Sequence, residues 1–216
     1  MPLTGGVGNP TLTFQFADGQ GTGTYADLSA RLTWRGFDDT ISVIIRGNTG
    51  DGEYDPGTTD PSVILYFAAG VTSNAIHIAD CSAYVVLRNL EVDAPGITTY
   101  AGFISISRCK YAYVYQVVAD APVGDAYDFS FYYGSNGTVK DSWVSKGSAG
   151  IFAAYSCTVI VRNCSSFNTA PMYGIDSTLG SYIGKYEKTA NLPNGTAADY
   201  RATTGGIYTQ PKTIDY

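Results

Sequence analysis

Acidic side chains in the middle of the chain are the residues best suited to catalysis. Asp125 and Asp128 flank Tyr127 in the segment GDAYDF, and Asp93 and Asp120 lie in segments that could approach them. Two carboxylates that face each other across a groove can cleave polysaccharide as acid and base, or as acid and nucleophile. Turns also favour Asp for backbone reasons, so solvated loop acids are the simpler interpretation. We therefore expect no catalytic site, and if the protein is an enzyme, Asp125 and Asp128 are the predicted catalytic pair.

Tyrosine is unusually frequent, at 18 of 216 residues. Tyr111, Tyr113 and Tyr115 alternate along one predicted strand, so all three lie on the same face. Ala112 and Val114 make an equally good buried face, which favours tyrosines that point outward. Outward tyrosines suit a subunit interface or a carbohydrate platform, plain packing is a third alternative, and the sequence leaves all three open.

Metal and cofactor chemistry has little support in the sequence. The four cysteines form no C-x-x-C pair and His77 is the single histidine, so a zinc site lacks ligands. Asp51, Glu53 and Asp55 alternate as calcium ligands do, but the rest of an EF-hand pattern is absent. We expect no metal, no cofactor, and cysteines that pack as reduced thiols.

Charge and composition exclude several classes of protein. Nineteen acidic against 13 basic residues give a net charge of -6, so the field of the protein repels phosphate backbones and no nucleic-acid partner is expected. The apolar runs are shorter than the ~20 residues that cross a bilayer, and the first residues lack a signal-peptide pattern, so neither membrane association nor export is expected. Only 15% of the residues are charged and 25 are glycines, which favours a turn-rich β fold over a coiled coil.

A two-strand unit recurs from Ala75, Gly102, Asp128 and Ile151. Aligned on the ends of the second strands, the units place Arg88, Gln116, Lys140 and Arg162 at equivalent positions, with steps of 28, 24 and 22 residues. Such a period with no helix between the strands is typical of a solenoid, because each coil hides its apolar face only by stacking on the next. The sequence therefore predicts an all-β fold, a single-stranded right-handed parallel β-helix.

The predicted stacking also aligns polar residues. Asn89, Asp141 and Asn163 fit the tight turn after the second strand, where Asn and Asp tolerate a left-handed backbone and can form a structural ladder. The row that contains Arg88, Lys140 and Arg162 would lie at one edge of the solenoid. There it could bind anionic sugars, although pairing with nearby Asp residues is the simpler interpretation.

The chain divides into three predicted parts. Residues 1–23 are an extended, glycine-rich N-terminal arm, in which Thr11–Phe16 could form a strand. Residues 24–180 are the β-helix domain, and Tyr25, Leu28 and Leu32 at helical spacing predict a short capping helix over 25–34. The apolar pattern thins from residue 181, so 181–216 is predicted as a C-terminal cap or arm.

The rung periodicity and the segment GTGTYADLSARLTWRGFDDTISVIIRG resemble bacteriophage right-handed parallel β-helix proteins over roughly residues 24–180. The resemblance implies a homotrimer on the virion surface, assembled in the host cytoplasm and in contact with virion proteins such as the major capsid protein. Because few rungs and two arms fill the chain, we expect a non-enzymatic capsid decoration (cement, head knob) protein that stabilises or decorates the particle. The alternative is a tailspike or tail-fibre module for host adhesion, which binds or depolymerises surface polysaccharide. A pectate-lyase-like enzyme is the third possibility.

Overall fold

The computed structural model describes residues 10–16, 23–47, 63–97, 102–120, 125–145, 147–166, 173–185 and 198–209. Within these ranges the regular elements are all β-strands, which pair in parallel in a twelve-stranded and a seven-stranded sheet. The strands stack as a solenoid of about five turns, so the predicted parallel β-helix is confirmed. No helix in the described ranges is long and apolar enough to cross a membrane.

The strands are numbered in chain order and alternate between the two sheets. The main path of the twelve-stranded sheet is β1 (Thr11–Gln15), β4 (Ser42–Arg46), β7 (Tyr84–Asp93), β9 (Tyr111–Asp120), β11 (Asn136–Lys140), β14 (Thr158–Arg162), β17 (Tyr182–Lys185) and β19 (Ile207–Thr209). Beside that path lie β2 (Gly23–Leu28), β5 (Val63–Phe67), β12 (Trp143–Ser145) and β15 (Ser165–Ser166). The seven-stranded sheet has the order β18 (Ala198–Ala202), β16 (Tyr173–Ser177), β13 (Ala149–Ala154), β10 (Tyr127–Tyr132), β8 (Gly102–Ser107), β6 (Ile76–Ala79) and β3 (Leu32–Arg35).

Equivalent residues of successive turns stack into continuous apolar rows inside the solenoid. On the seven-stranded sheet one fully buried row is Ile76, Ile104, Phe129, Ile151 and Ile175. On the twelve-stranded sheet the corresponding row is Ile45, Leu87, Val114, Val139 and Val161. Burial of each such side chain contributes about 1.5–3 kcal/mol, so these rows are the main stabilising term.

Buried serines satisfy backbone groups at the corners, where the chain leaves one sheet for the next. Ser135 Oγ accepts a hydrogen bond from the Cys109 amide at 3.1 Å and donates to the Tyr132 carbonyl at 2.7 Å. Ser142 Oγ bridges Val117 and Lys140 in the same way. Buried backbone groups need such partners where the strand ladder is interrupted. The four cysteines are buried free thiols, which agrees with their predicted packing role.

The structure corrects the predicted helix over residues 25–34. The segment contains the end of β2 (Gly23–Leu28) and the start of β3 (Leu32–Arg35). Along β3 the half-buried Leu32 and the buried Trp34 alternate with exposed residues, which is a strand period of two. A ten-residue helix is marginal alone, whereas β3 forms a full ladder with β6.

The described parts of both predicted arms belong to the solenoid. Strand β1 (Thr11–Gln15) lies within the predicted N-terminal arm and pairs with β4 in parallel over five residues. At the other end, β17 and β19 extend the twelve-stranded sheet past residue 180, and β18 extends the seven-stranded sheet. The repeat therefore starts before residue 24 and continues after residue 180.

At Gly137 the backbone of β11 lies close to a side chain of the opposite sheet. It occupies an inward position of β11 between Ala112 and Val159, and a Cβ there would lie 2.1 Å from Phe131 Cε1. The Phe131 ring thus fills the space that a side chain would need.

We expect Gly137→Ala to lower the free energy of unfolding by roughly 1–3 kcal/mol, because a buried aromatic ring must move. Urea denaturation followed by circular dichroism measures the change. Gly70→Ala is the matched control, since a Cβ there meets nothing within 4 Å. Equal effects of the two substitutions would contradict the packing described here.

Candidate functional site

The structure does not present Asp125 and Asp128 to a common groove. Asp125 is exposed in the loop before β10, whereas Asp128 lies within β10 and is fully buried. Phe129 and Phe131 of the same strand pack in the solenoid core, so β10 is a buried strand. The two carboxylates are close in sequence. Because β10 is buried, however, solvent reaches Asp125 and not Asp128.

Asp93 and Asp120 are instead brought side by side. They end strands β7 and β9 at the same register position, so they occupy adjacent strands, and both are half-buried. Ser145, the next residue of this row, donates a hydrogen bond to Asp120. The parallel register creates this juxtaposition, which the distance of 27 residues along the chain did not indicate.

The residues at one solenoid corner adopt a left-handed backbone. Asn89, Gln116, Asp141 and Asn163 have φ of 54°, 52°, 46° and 48°. Asn163 Nδ2 donates a hydrogen bond to Asp141 Oδ1 at 2.7 Å, which links two successive turns. These four residues form the corner ladder, whose members include the three predicted turn residues.

Gln116 takes the corner position in its turn, which corrects the alignment proposed from the sequence. The register pairs Arg88 with Tyr115 and not with Gln116. The shift of one residue follows from the corner ladder, because the residue with the left-handed backbone must stack on its equivalents. Tyr115 therefore joins the outer row that contains Arg88.

Three tyrosines of β9 lie on the outer face of the twelve-stranded sheet. Tyr111 is 50% exposed, and Tyr113 and Tyr115 are half-buried, while Ala112 and Val114 point into the core. The Tyr113 and Tyr115 rings stack with their centroids 6.0 Å apart. Tyr84 of β7 lies next to Tyr111 in the register. We call Tyr84, Tyr111, Tyr113 and Tyr115 the tyrosine patch.

A shallow groove of about 570 Å³ runs across this face. Its lining combines apolar residues such as Val86 and Ile160 with Thr138 and with three members of the tyrosine patch. One side is formed by basic residues. Binding sites for small molecules and sugars combine these features, an apolar floor with a few convergent polar groups.

The basic side of the groove, formed by Arg88, Lys140 and Arg162, belongs to a longer register row on the outer face. From β1 to β14 the row reads Gln15, Arg46, Arg88, Tyr115, Lys140 and Arg162. We call its four cations the cationic row. Four of the 13 basic residues of an acidic chain are thus aligned, and none of the six positions holds a carboxylate.

Protonation states in the groove are set by burial and by neighbouring charges. Burial raises the pKa of the Tyr84 hydroxyl to about 12, and it raises the pKa of Tyr113 above its ordinary value. Burial alone would lower the pKa of Lys140, but the hydrogen bond and the charge of Asp141 outweigh it and raise that pKa. Lys140 Nζ also lies 5.2 Å from the centroid of the Tyr115 ring. At neutral pH Tyr84 and Tyr113 are therefore neutral and Lys140 is charged.

His77 lies on β6, in the seven-stranded sheet, away from the groove. Its Nε2 lies within hydrogen-bond distance of Ser107 Oγ, at 3.1 Å. Burial and the nearby Arg31 and Arg108 lower the pKa of His77. The imidazole is therefore neutral at pH 7.

The predicted calcium-like segment lies outside the described residues, because Asp51, Glu53 and Asp55 fall in a range that the structure leaves out. In the part of the chain that is described, no cluster of three or more His, Cys, Asp or Glu side chains could hold a metal ion.

Comparison with known proteins gives no relative from which a role could be transferred. No protein-family model matches the chain, and neither the curated proteins nor the solved structures contain a match.

The lowered pKa of His77 predicts a specific pH dependence of stability. The unfolded chain binds a proton near pH 6.5, whereas the folded protein binds it only at lower pH, so His77 destabilises the fold as the pH falls below about 6.5. We expect the free energy of unfolding to decrease more steeply between pH 7 and pH 5 than in His77→Gln, which cannot titrate. Urea denaturation at several pH values measures both slopes. Identical slopes would contradict the depressed pKa, since His77 is the only histidine.

Proposed function

We propose that this protein is a non-enzymatic binding module that holds an extended polysaccharide against the outer face of its twelve-stranded sheet. The tyrosine patch, which lies on the outer face of a rigid sheet beside a groove with an apolar floor, is the observation that carries the proposal. It favours the adhesion alternative of the sequence analysis over catalysis. The predicted acids Asp125 and Asp128 are not presented together, which also argues against a cleavage reaction at that pair.

Tyrosine suits sugar recognition for two physical reasons. Its ring offers a flat apolar surface to the C–H face of a pyranose, and its hydroxyl can exchange hydrogen bonds with the sugar hydroxyls. Tyr113 and Tyr115 stack on each other, so their side chains are already ordered before a ligand arrives. A preordered side chain loses less conformational entropy on binding.

Polar groups around the tyrosine patch supply the directional contacts that an oligosaccharide needs. Asn136 is exposed and Thr138 is half-buried next to the tyrosines, and both line the outer face. A turn of the solenoid adds about 4.8 Å along its axis, a length comparable to that of one sugar unit. Successive turns can therefore contact successive units of an extended chain.

The resemblance to bacteriophage β-helix proteins supports a place for this module on a virion. In that setting the ligand would be a host surface polysaccharide, and the module would belong to a tail fibre or tailspike. The acidic net charge fits an exposed surface, and four of the 13 basic residues are aligned where a ligand would bind.

We expect Tyr113→Ala to weaken oligosaccharide binding about tenfold, because removal of a central aromatic contact typically costs more than 1 kcal/mol. Glycan-array screening identifies a bound oligosaccharide, and isothermal titration calorimetry then measures its affinity. Tyr200→Ala is the matched control, since Tyr200 is 55% exposed but lies on the seven-stranded sheet. Failure of the protein to bind any glycan, or equal losses in both variants, would refute the proposed function.

A second candidate function is assembly as a homotrimeric capsid decoration protein, and one feature favours it. Tyr133 and Tyr155 adopt left-handed φ values of 55° and 61°, and their rings stack 4.8 Å apart at an exposed corner. The corner imposes the same left-handed backbone on Asp80, Arg108 and Leu179, so the exposed stacked rings, and not the backbone, are the feature that favours an interface. The exposed Leu179 continues this aromatic ridge on the next turn. Such a ridge suits contact with another subunit or with the major capsid protein.

We expect the double variant Tyr133→Asn/Tyr155→Asn to stay folded but to lose self-association. Asn tolerates the left-handed backbone better than Tyr, so the melting temperature should be unchanged or higher. Light scattering coupled to size-exclusion chromatography measures the mass of both proteins. A wild-type protein that is monomeric at all concentrations would exclude the trimer.

A further inference from the structure

The cationic row defines which polysaccharide the groove accepts. We infer that the site selects an acidic polysaccharide whose sugar units carry carboxylates, and that the chain lies across the strands, parallel to the solenoid axis. This inference rests on the proposed function, because it concerns the ligand of the same groove. It adds the chemical class of the polysaccharide and the direction in which the polysaccharide lies on the binding face.

The arrangement of the cations supports a repeating anionic ligand. Arg46 and Arg88 occupy adjacent strands, Tyr115 follows, and Lys140 and Arg162 occupy the next two. Neighbouring strands lie about 4.8 Å apart, so the cations recur at this spacing or a multiple of it. A sugar ring on Tyr115 would therefore have cations on both sides, within reach of its neighbours' carboxylates.

The contacts of Arg88 and Lys140 inside the protein are compatible with an anionic ligand at the cationic row. Arg88 Nε is shielded from solvent and has no hydrogen-bond acceptor among the residues that the structure describes. A buried donor without an acceptor is costly, so a rotation of the Arg88 side chain that exposes Nε to an incoming carboxylate would recover a charge-assisted hydrogen bond. Lys140 is paired with Asp141 at 3.1 Å, which keeps it charged and holds it over Tyr115. The guanidinium groups of the row match carboxylate geometry well.

Charge complementarity favours an acidic sugar over a neutral one. The row concentrates four positive charges on an acidic protein, and its six positions include no acid, although Asp141 next to the row pairs with Lys140. Close cations repel each other, so an arrangement of this kind is most stable with an anionic ligand bound. Single-stranded nucleic acid also combines rings with anions, but the net charge of -6 opposes the dense phosphate backbone.

The test compares polygalacturonate with the same polymer after methyl esterification, which removes the carboxylate charges and keeps the sugar backbone. We expect polygalacturonate to bind at least about tenfold more tightly than the ester, with an affinity that falls as salt rises. In Lys140→Gln/Arg162→Gln this preference should fall about tenfold or more. Arg31→Gln/Arg35→Gln is the matched control, because it removes the same charge near the seven-stranded sheet and should bind as wild type.

Each other outcome has a distinct meaning. Equal binding of the two polymers, with loss in Tyr113→Ala, would overturn the acidic preference and leave the proposed function intact. Tighter binding of an oligothymidylate, lost in Lys140→Gln/Arg162→Gln, would identify a nucleic-acid surface and overturn the inference. If neither these polymers nor any other glycan binds, both the inference and the proposed function fail. Equal losses in the two double variants would show that net charge, and not the row, attracts the polymer.

Discussion

Parallel hydrogen bonding between successive turns is the interaction on which the rest of this structure depends. Strands pair with the equivalent strands of the neighbouring turns. Each residue is therefore stacked on residues that face the same way, either into the core or towards the outside. The inward positions become apolar rows, the corners become ladders and the outward positions become rows of exposed side chains. A single register thus fixes the core, the corners and the surface together.

The corners show how strictly this register constrains the chain. Asn89, Gln116, Asp141 and Asn163 keep a left-handed backbone at one corner although Gln is a poor choice for it. Buried serines complete the backbone hydrogen bonds where the ladder bends. The Gly137 position is equally restricted, because the Phe131 ring of the opposite sheet occupies the space beside it. These positions maintain the solenoid and leave little freedom for function.

The outward rows carry the functional possibilities because they do not have to pack. On the twelve-stranded sheet, three tyrosines of the patch and three cations of the row line one groove, although these residues come from different turns. Here a rigid scaffold fixes the spacing of the aromatic and charged side chains, and the proposed binding of an extended ligand rests on that spacing. The stacked Tyr133 and Tyr155 form a separate exposed feature at another corner, where a protein partner is the more natural occupant.

The sequence by itself determined the repeat, the fold class and the outward direction of Tyr111, Tyr113 and Tyr115, because strand alternation and a period of 20–30 residues are local patterns. It also indicated the left-handed positions of Asn89, Asp141 and Asn163, whose side chains tolerate that conformation. It misassigned residues 25–34, since helical spacing of Tyr25, Leu28 and Leu32 does not reveal the β3–β6 ladder that makes residues 32–35 a strand.

Only the tertiary structure decided that Tyr115 and not Gln116 stacks on Arg88, that Asp128 is buried while Asp125 is exposed, and that Asp93 lies beside Asp120. Those relations depend on the register between turns, which is set by the packing of the whole solenoid and is not encoded in any single segment.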